Sequence, residues 1–549
     1  MSALKHLLIF SALVTLAACG GSGGGSALTV NCGTASTSNI TVTGTVQFER
    51  VPHSTIGFGL DYAATYASPA RGVTVQAINT GSNTIVATTQ TDASGGYSVA
   101  VPNNTQIKIR VLAEMVKTGA LPTWNFSVRD NTSGNAQYAL DGSSTCTGTT
   151  NETRNLTASS GWGGTSYTST RAAAPFAILD TVYDGIQFIL GVSANTNFPA
   201  LNLYWSPNNT SSTIGTSYFN GSDSIYILGD QNVDTDEYDP SVIAHEWGHY
   251  IEANFSRSDS IGGYHSTGDR LDMRVAFGEG YGNAFSSMVR NDPQYADSSG
   301  AQQASGFGFN VETETVTNKG WYSESSVEKI LYDLYDSNNS PADSDPDHLT
   351  LGFQPLWNVL INEEKSGPVF TSIYKFIAAL KTHYAGDATT LSNIDTLINA
   401  QSIHVNDVYG TGEMNNTSSS AVLPIYSVID ISTPANVCVT KAFARGYGSY
   451  DYNVLGMNHY LRFTPATSGT YQFTISETDA SNAGNPLAIF TNGGIQNYHN
   501  VSGTNTDEIF TETLTGGQEY MFEVYDYNMV NTPATSPSET CYDVSVVKQ

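Results

Sequence analysis

The sequence predicts a multidomain protein in which an α+β region is flanked by two β-sandwich domains. Three observations predict it. A chain of 549 residues exceeds a single folding unit, since domains average roughly 150 residues. Both ends consist of short runs alternating polar and apolar residues between turn-forming Gly, Asn and Ser, whereas the middle switches to apolar stripes of period 3.6. Hydrophobic residues are 40% and charged residues 13%, enough apolar material for cores and too little charge for a disordered chain. Lys and Arg number 22 against 50 Asp and Glu, a formal net charge of -28. A nucleic-acid backbone would be repelled, so nucleic acid is not an expected partner.

Residues 1–19 combine Lys5, an apolar run from Leu7 to Leu16, and Ala17-Ala18 before Cys19, the layout of a signal peptide. The run is too short to span a bilayer, and no later segment reaches 18 uninterrupted apolar residues. Leu16-Ala17-Ala18-Cys19 resembles a bacterial lipobox. The resemblance implies lipidation at Cys19 and a lipoprotein of the outer membrane or cell surface, whose only contact with the membrane is that anchor; an ordinary cleaved signal is the alternative. Residues 20–27 then read as a flexible Gly/Ser tether. Cys32, Cys146, Cys438 and Cys541 remain, an even number in an exported protein. Three pairings are open. Cys32 with Cys146 and Cys438 with Cys541 is favoured, because each pair brackets one strand-rich region.

Residues 28–150 are expected to form the N-terminal β-sandwich, from runs such as Ile40 to Phe48 and Gly72 to Ala77. Thr91-Asp-Ala-Ser-Gly-Gly-Tyr-Ser-Val99 resembles the signature of transthyretin-like, carboxypeptidase-regulatory domains, which implies an accessory fold without catalytic residues. Residues 151–435 read as strands to Leu228 and helices after, an α+β order. In Glu324 to Tyr335 the apolar residues Val327, Ile330, Leu331 and Leu334 share one face, and Ser325 and Glu328 have capping-box spacing. Pro368 to Tyr384 and Leu391 to Ala400 carry similar stripes. After a linker at Ser432-Thr-Pro-Ala, strands return in residues 436–549. This part is similar to the pre-peptidase C-terminal domain of secreted bacterial peptidases.

Residues 245–249 read His-Glu-Trp-Gly-His. Asp239 and Pro240 form an N-cap and N1 pair ahead of Val242, Ile243 and Ala244, so the motif falls on a helix. His245 and His249 then project from one face and can reach one metal ion, with Glu246 beside the open position as general base and then acid. Two His on a buried helix face would be the structural reading. A catalytic zinc needs a third protein ligand. Glu279 in Phe277-Gly-Glu-Gly-Tyr-Gly-Asn-Ala-Phe285 is the first choice; Asp272, Glu252 and His265 compete, and His265 would give a His-rich site of another clan. Here the chain resembles the gluzincin metallopeptidases, in particular the fungalysin type. The resemblance implies a gluzincin-like catalytic domain, Zn2+ and peptide-bond hydrolysis.

Four residues past Glu279, where thermolysin-like members carry an Asp that orients the first His, this chain has Asn283. Its amide oxygen can still accept an imidazole N–H, without charge. By position in Gly320-Trp-Tyr-Ser-Glu324, Tyr322 matches the thermolysin donor to the tetrahedral oxyanion, with Tyr281 and His348 as competitors. A hairpin is expected around Asn220-Gly221. By analogy with gluzincins, Ile225, Tyr226, Ile227 and Leu228 would be an edge strand that pairs with extended peptide; burial on both edges is the alternative. Asp230, Asn232, Asp234, Asp236 and Asp239 supply the oxygens Ca2+ prefers, although Thr235 and Ser241 break the EF-hand pattern. Asp343-Ser-Asp-Pro-Asp347 is a second acidic candidate. The expectation is an exported zinc metallopeptidase, an endopeptidase acting on peptide or protein substrates. The rivals are a surface adhesion protein with an inactive core and a zinc hydrolase of non-peptide substrates.

Overall fold

The computed structural model describes residues 31–34, 38–336, 349–478, 486–491, 495–499, 507–531, 536 and 538–549. The signal, Cys19, the tether, His348 and the acidic run 343–347 lie outside the described residues.

Strand Asn39–Arg50 is the spine of the N-terminal unit. It pairs antiparallel with Gly96–Pro102 and Tyr66–Pro69 and parallel with Glu152–Thr153 and Leu156–Ala158. A second sheet holds Thr74–Asn79, Thr84–Gln90 and Gln106–Leu112, with Ala139–Asp141 and Thr145–Cys146 on the outer side of Gln106–Leu112. The alternation seen in the sequence is the alternation of burial: Val42, Val46, Phe48, Val75, Ile107, Ile109 and Val111 are buried between the sheets. Cys32 and Cys146 are joined, and so are Cys438 and Cys541.

The chain does not leave this unit once, at residue 150. Trp124–Asp130 crosses into a mixed sheet of order Tyr218–Phe219, Ser224–Ile227, Leu201–Trp205, Trp124–Asp130, Glu114–Lys117, and only then returns to pair with the spine. One hydrophobic core is therefore continuous from Ile40 into the helices. Helix α1 (Ala174–Val192) lies in the stretch expected to be strands. Its Asp180, Asp184 and Gln187 fall at i, i+4 and i+7, a helical stripe that the expectation of strands overlooked. By length and composition it alone among the described residues is long and apolar enough to cross a membrane, yet 61% of that stretch is buried in the fold.

Helix α2 (Pro240–Phe255) carries the His-Glu-Trp-Gly-His motif and α3 (Met273–Arg290) carries Glu279. Helix α4 (Glu324–Tyr335) packs on α3 and is capped by Ser323, whose hydroxyl accepts the Ser326 N–H at 3.2 Å, two positions ahead of the expected cap. Helices α5 (Ile373–His383) and α6 (Ala388–Ala400) follow, after a short helix at Phe353–Val359.

The C-terminal sandwich begins at Tyr426–Ile429, which pairs with Asn458–Phe463. Ser432 is thus inside this unit, in a turn where Asp430 accepts the N–H groups of Ser432 and Thr433. The facing sheet is Ala435–Thr440, Glu539–Lys548, Gly469–Glu477 and Glu508–Leu514. Its core is separate, around Phe473, Phe522 and Tyr542. The molecule is accordingly a multidomain α+β protein with sandwich-like ends.

Candidate metal centre

Helix α2 starts at Pro240, whose missing N–H costs nothing in the first turn. Asp239 does not cap it; both its carboxylate oxygens face Ser298 and His53 instead. The four-residue spacing brings His245 and His249 to one side, with Nε2 atoms 3.0 Å apart. Helix α3 crosses close by because Gly282 has no side chain: a Cβ there would lie 2.7 Å from Cε1 of His245. Gly280 serves the same purpose toward α4, where a Cβ would come within 2.6 Å of Val327. This close crossing sets Oε2 of Glu279 3.2 Å from Nε2 of His245 and 3.3 Å from Nε2 of His249.

The donor set fits zinc. Ligands 2.0–2.1 Å from a tetrahedral zinc lie about 3.3 Å from one another, and the three separations, 3.0, 3.2 and 3.3 Å, lie at or just inside that edge. Oδ1 of Asn283 accepts from Nδ1 of His245 at 2.8 Å, which places the ring proton there and turns the Nε2 lone pair inward. Behind His249, the buried Glu252 carboxylate stands 3.9 Å from Nδ1. Two imidazole nitrogens and a carboxylate oxygen this close together form a donor set that a cation would join.

Burial would push the Glu279 carboxyl up, but His265 and His249 beside it overcome this and hold it well below the usual carboxylate range. Burial pushes the Glu246 carboxyl up, opposed by the neighbouring imidazoles. Its Oε2 accepts the Phe219 N–H at 2.7 Å, which fixes it beside strand Tyr218–Phe219.

His265, from the loop between α2 and α3, enters the same space. Its Nε2 is 3.3 Å from Oε2 of Glu279, and its Nδ1 is 2.7 Å from Oε2 of Glu324 at the start of α4. The pair of carboxylates outweighs burial and holds its pKa well above the ordinary imidazole value. The sequence named His265 but not Glu324; they stand 59 residues apart, and no motif links them. Tyr322 is elsewhere: its hydroxyl donates to the Lys319 carbonyl at 3.0 Å and to Oδ1 of Asn415 at 3.3 Å. Tyr281 is buried in the core. Asp272 caps α3 and faces Arg274.

The expected edge strand is an inner one. Ser224–Ile227 lies between Leu201–Trp205 and Tyr218–Phe219, and Ile225, Ile227 and Leu228 are buried while Tyr226 stacks on Tyr218. The edge is Tyr218–Phe219, whose outer side has no strand partner among the described residues.

The acidic loop converges differently from its spacing. Carboxylate oxygens of Asp234, Asp236 and Asp297 lie within 4.8 Å of one another. Asp297 comes from strand Gln294–Ser299, and Asp234 pairs with Ser299. The Oδ1 atoms of Asp234 and Asp236 are buried without a hydrogen-bond partner. Burial, reinforced by the neighbouring carboxylates, pushes Asp234 up to about 6 and Asp297 up to about 8. Asp230 and Asn232 stand outside this group; Oδ1 of Asn232 accepts the Gln302 N–H at 2.8 Å. Asp239 is already paired with Ser298 and His53, as above.

Residues 192–366 match the family model of the mycolysin C-terminal domain, so the stretch that holds both metal helices is similar to a peptidase-associated domain. No curated protein matches the chain. Among solved structures, the pre-peptidase C-terminal domain of a collagenase from Bacillus anthracis is 13% identical, covering 22% of this chain and 92% of that chain with a TM-score of 0.15. PliG, a periplasmic inhibitor of g-type lysozyme from Aeromonas hydrophila, is also 13% identical, covering 23% and 97% with a TM-score of 0.14. Likenesses of this size say nothing of activity.

Proposed function

We propose that the protein is an exported zinc metallopeptidase, with His245, His249 and Glu279 holding the metal and Glu246 acting as general base and then acid. The convergence of two imidazole nitrogens and one carboxylate oxygen at about the edge length of a tetrahedral zinc site carries this reading; the mycolysin-like stretch and the disulfides agree with it. When bound, zinc supplies a Lewis acid that polarises the scissile carbonyl and makes water a nucleophile near neutral pH. Glu246 takes a proton from the attacking water and passes it to the leaving amine. A peptide laid along the open edge at Tyr218–Phe219 would be read through its backbone, with little demand on side chains. We assign the oxyanion role to His265 in place of Tyr322: Glu324 holds Nδ1, and Nε2 stands at the edge of the ligand cluster, 3.3 Å from Glu279, within reach of an oxyanion formed there.

Glu246→Gln tests the proposal. Zinc content should be retained and casein or gelatin cleavage should fall roughly 10²- to 10⁴-fold. Undiminished cleavage in this variant, or after thorough chelation, overturns it.

One observation favours a second reading. Nε2 of His265 approaches the same Glu279 oxygen as the other two imidazoles, and four protein ligands would close the site and make it structural, as a surface binding protein requires. His265→Phe separates the two: an open catalytic site keeps its zinc and loses turnover, whereas a closed one loses zinc. We also propose Ca2+ at Asp234, Asp236 and Asp297, and a lipid anchor at Cys19. Intact mass and N-terminal sequencing of the mature protein test the anchor.

A further inference from the structure

The loop that delivers His265, residues 256–272, is gripped by an arm of the C-terminal sandwich, residues 445–455. Nη1 of Arg445 donates to the Tyr264 carbonyl at 2.6 Å and to Oδ2 of Asp269 at 3.0 Å. The same Asp269 oxygen accepts the Ser266 N–H at 2.9 Å. The residues on both sides of His265 are thus tied to one guanidinium, which Asp451 and Asn453 orient through Nε at 2.9 Å and Nη2 at 2.7 Å. Nδ2 of Asn453 donates to the carbonyls of Gly262 at 2.9 Å and Tyr264 at 3.1 Å, and its own carbonyl accepts the Asp272 N–H at 2.8 Å. Gly263, at φ 102°, passes so close that a Cβ would lie 2.5 Å from the Tyr452 hydroxyl. Arg445 has a side-chain exposure of 9% and Asn453 is fully buried.

The grip continues to the metal helix. Arg274, in the first turn of α3, is bound on one side by Asp272 and on the other by Glu523 of the sandwich, at 2.6 Å through Nη1. Asp272 also accepts from Nδ2 of Asn458 at 3.0 Å and from the Tyr460 hydroxyl. These charges are buried, and a buried pair that loses one member leaves the other charge unpaired. An appended module that merely trailed the enzyme would have no need of such a contact.

We propose that the C-terminal sandwich is a working part of the active site, in which Arg445 and Asn453 are positioning residues that hold His265 against Glu279 and Glu324. The inference rests on the peptidase reading and on the oxyanion role of His265. It implies that the sandwich is retained in the active enzyme.

The test uses full-length protein carrying Arg445→Ala, Arg445→Lys, Asn453→Ala, His265→Phe and the Arg445→Ala/His265→Phe pair. Arg445→Ala should keep its zinc and its KM while kcat falls roughly 10- to 100-fold, the range expected of a catalytic group displaced by about an ångström. Arg445→Lys should recover part of the loss, and Asn453→Ala should reproduce it if Arg445→Ala fails to fold. In the His265→Phe background, Arg445→Ala should change kcat no further, because both substitutions remove the same service. Hydrogen exchange should quicken in residues 261–269. Full kcat in both Arg445→Ala and Asn453→Ala, or an undiminished effect of Arg445→Ala on the His265→Phe background, overturns the proposal. A wild-type protein with zinc and no peptide hydrolysis instead overturns the peptidase reading.

Discussion

The ring of His245 is held by a neutral amide, and that choice sets how firmly a cation can be kept. Asn283 accepts the Nδ1 proton at 2.8 Å but adds no negative charge to the imidazole behind the metal. Partners of this kind typically change metal affinity by about 10- to 100-fold when removed. Asn283→Ala should therefore release zinc to a competing chelator at a correspondingly lower concentration, and Asn283→Asp should hold it more tightly than wild type. An unchanged competition curve in both variants would remove Asn283 from the site. This residue was legible through the thermolysin-like pattern, whose resemblance implies an orienting residue four positions past Glu279. His265 and Glu324 share no helix, so nothing in their spacing announces that they meet.

Between single residues and the whole lie the strand pairings, and they decide which acids meet. Asp297 joins Asp234 and Asp236 only because strand Gln294–Ser299 lies beside the acidic loop. A buried oxygen without a partner is costly, and two of them face this cluster. Millimolar Ca2+ should raise the thermal midpoint of wild-type protein in a concentration-dependent way. Asp297→Asn should weaken that response and Asp230→Asn should leave it intact; calorimetry with and without calcium checks both. The hairpin around Asn220-Gly221 forms with a longer loop than a two-residue turn: Phe219 pairs with Ile225, and Oδ1 of Asn220 accepts the N–H groups of Ser222, Asp223 and Ser224. The hairpin's edge, however, is its first strand, because the partner of Ser224–Ile227 on the far side is Leu201–Trp205, some twenty residues upstream in sequence.

Across the molecule, the C-terminal sandwich has its own core while its arm and Glu523 close on the loop 256–272 and the start of α3. His459 is buried in strand Asn458–Phe463, its Nε2 is 2.9 Å from the Ser427 hydroxyl, and burial lowers its pKa to about 4. An unfolded His titrates near 6.5, so between those values the unfolded chain binds a proton that the folded chain does not. Stability is unaffected above pH 6.5 and declines as pH falls toward 4, by about 3 kcal/mol for this group. Calorimetry at pH 7 and pH 4.5 should show the loss in the sandwich transition, and His459→Gln should flatten it. An equal loss in that variant would assign the effect to other groups.

The choice of Glu279 came from the resemblance to gluzincins, whereas the local pieces were determined by the sequence itself: the alternating strands, the helix beneath His-Glu-Trp-Gly-His, and the cysteines that bracket each sandwich. Their physics is short-range, a matter of helical and strand periods that a dozen residues can express. Only the tertiary structure decided that Trp124–Asp130 serves the central sheet, that Asp297 completes the acidic cluster, and that Glu324 and Arg445 hold His265. Those meetings join residues tens to hundreds of positions apart, and burial of a shared core, not any repeat along the chain, brings them together.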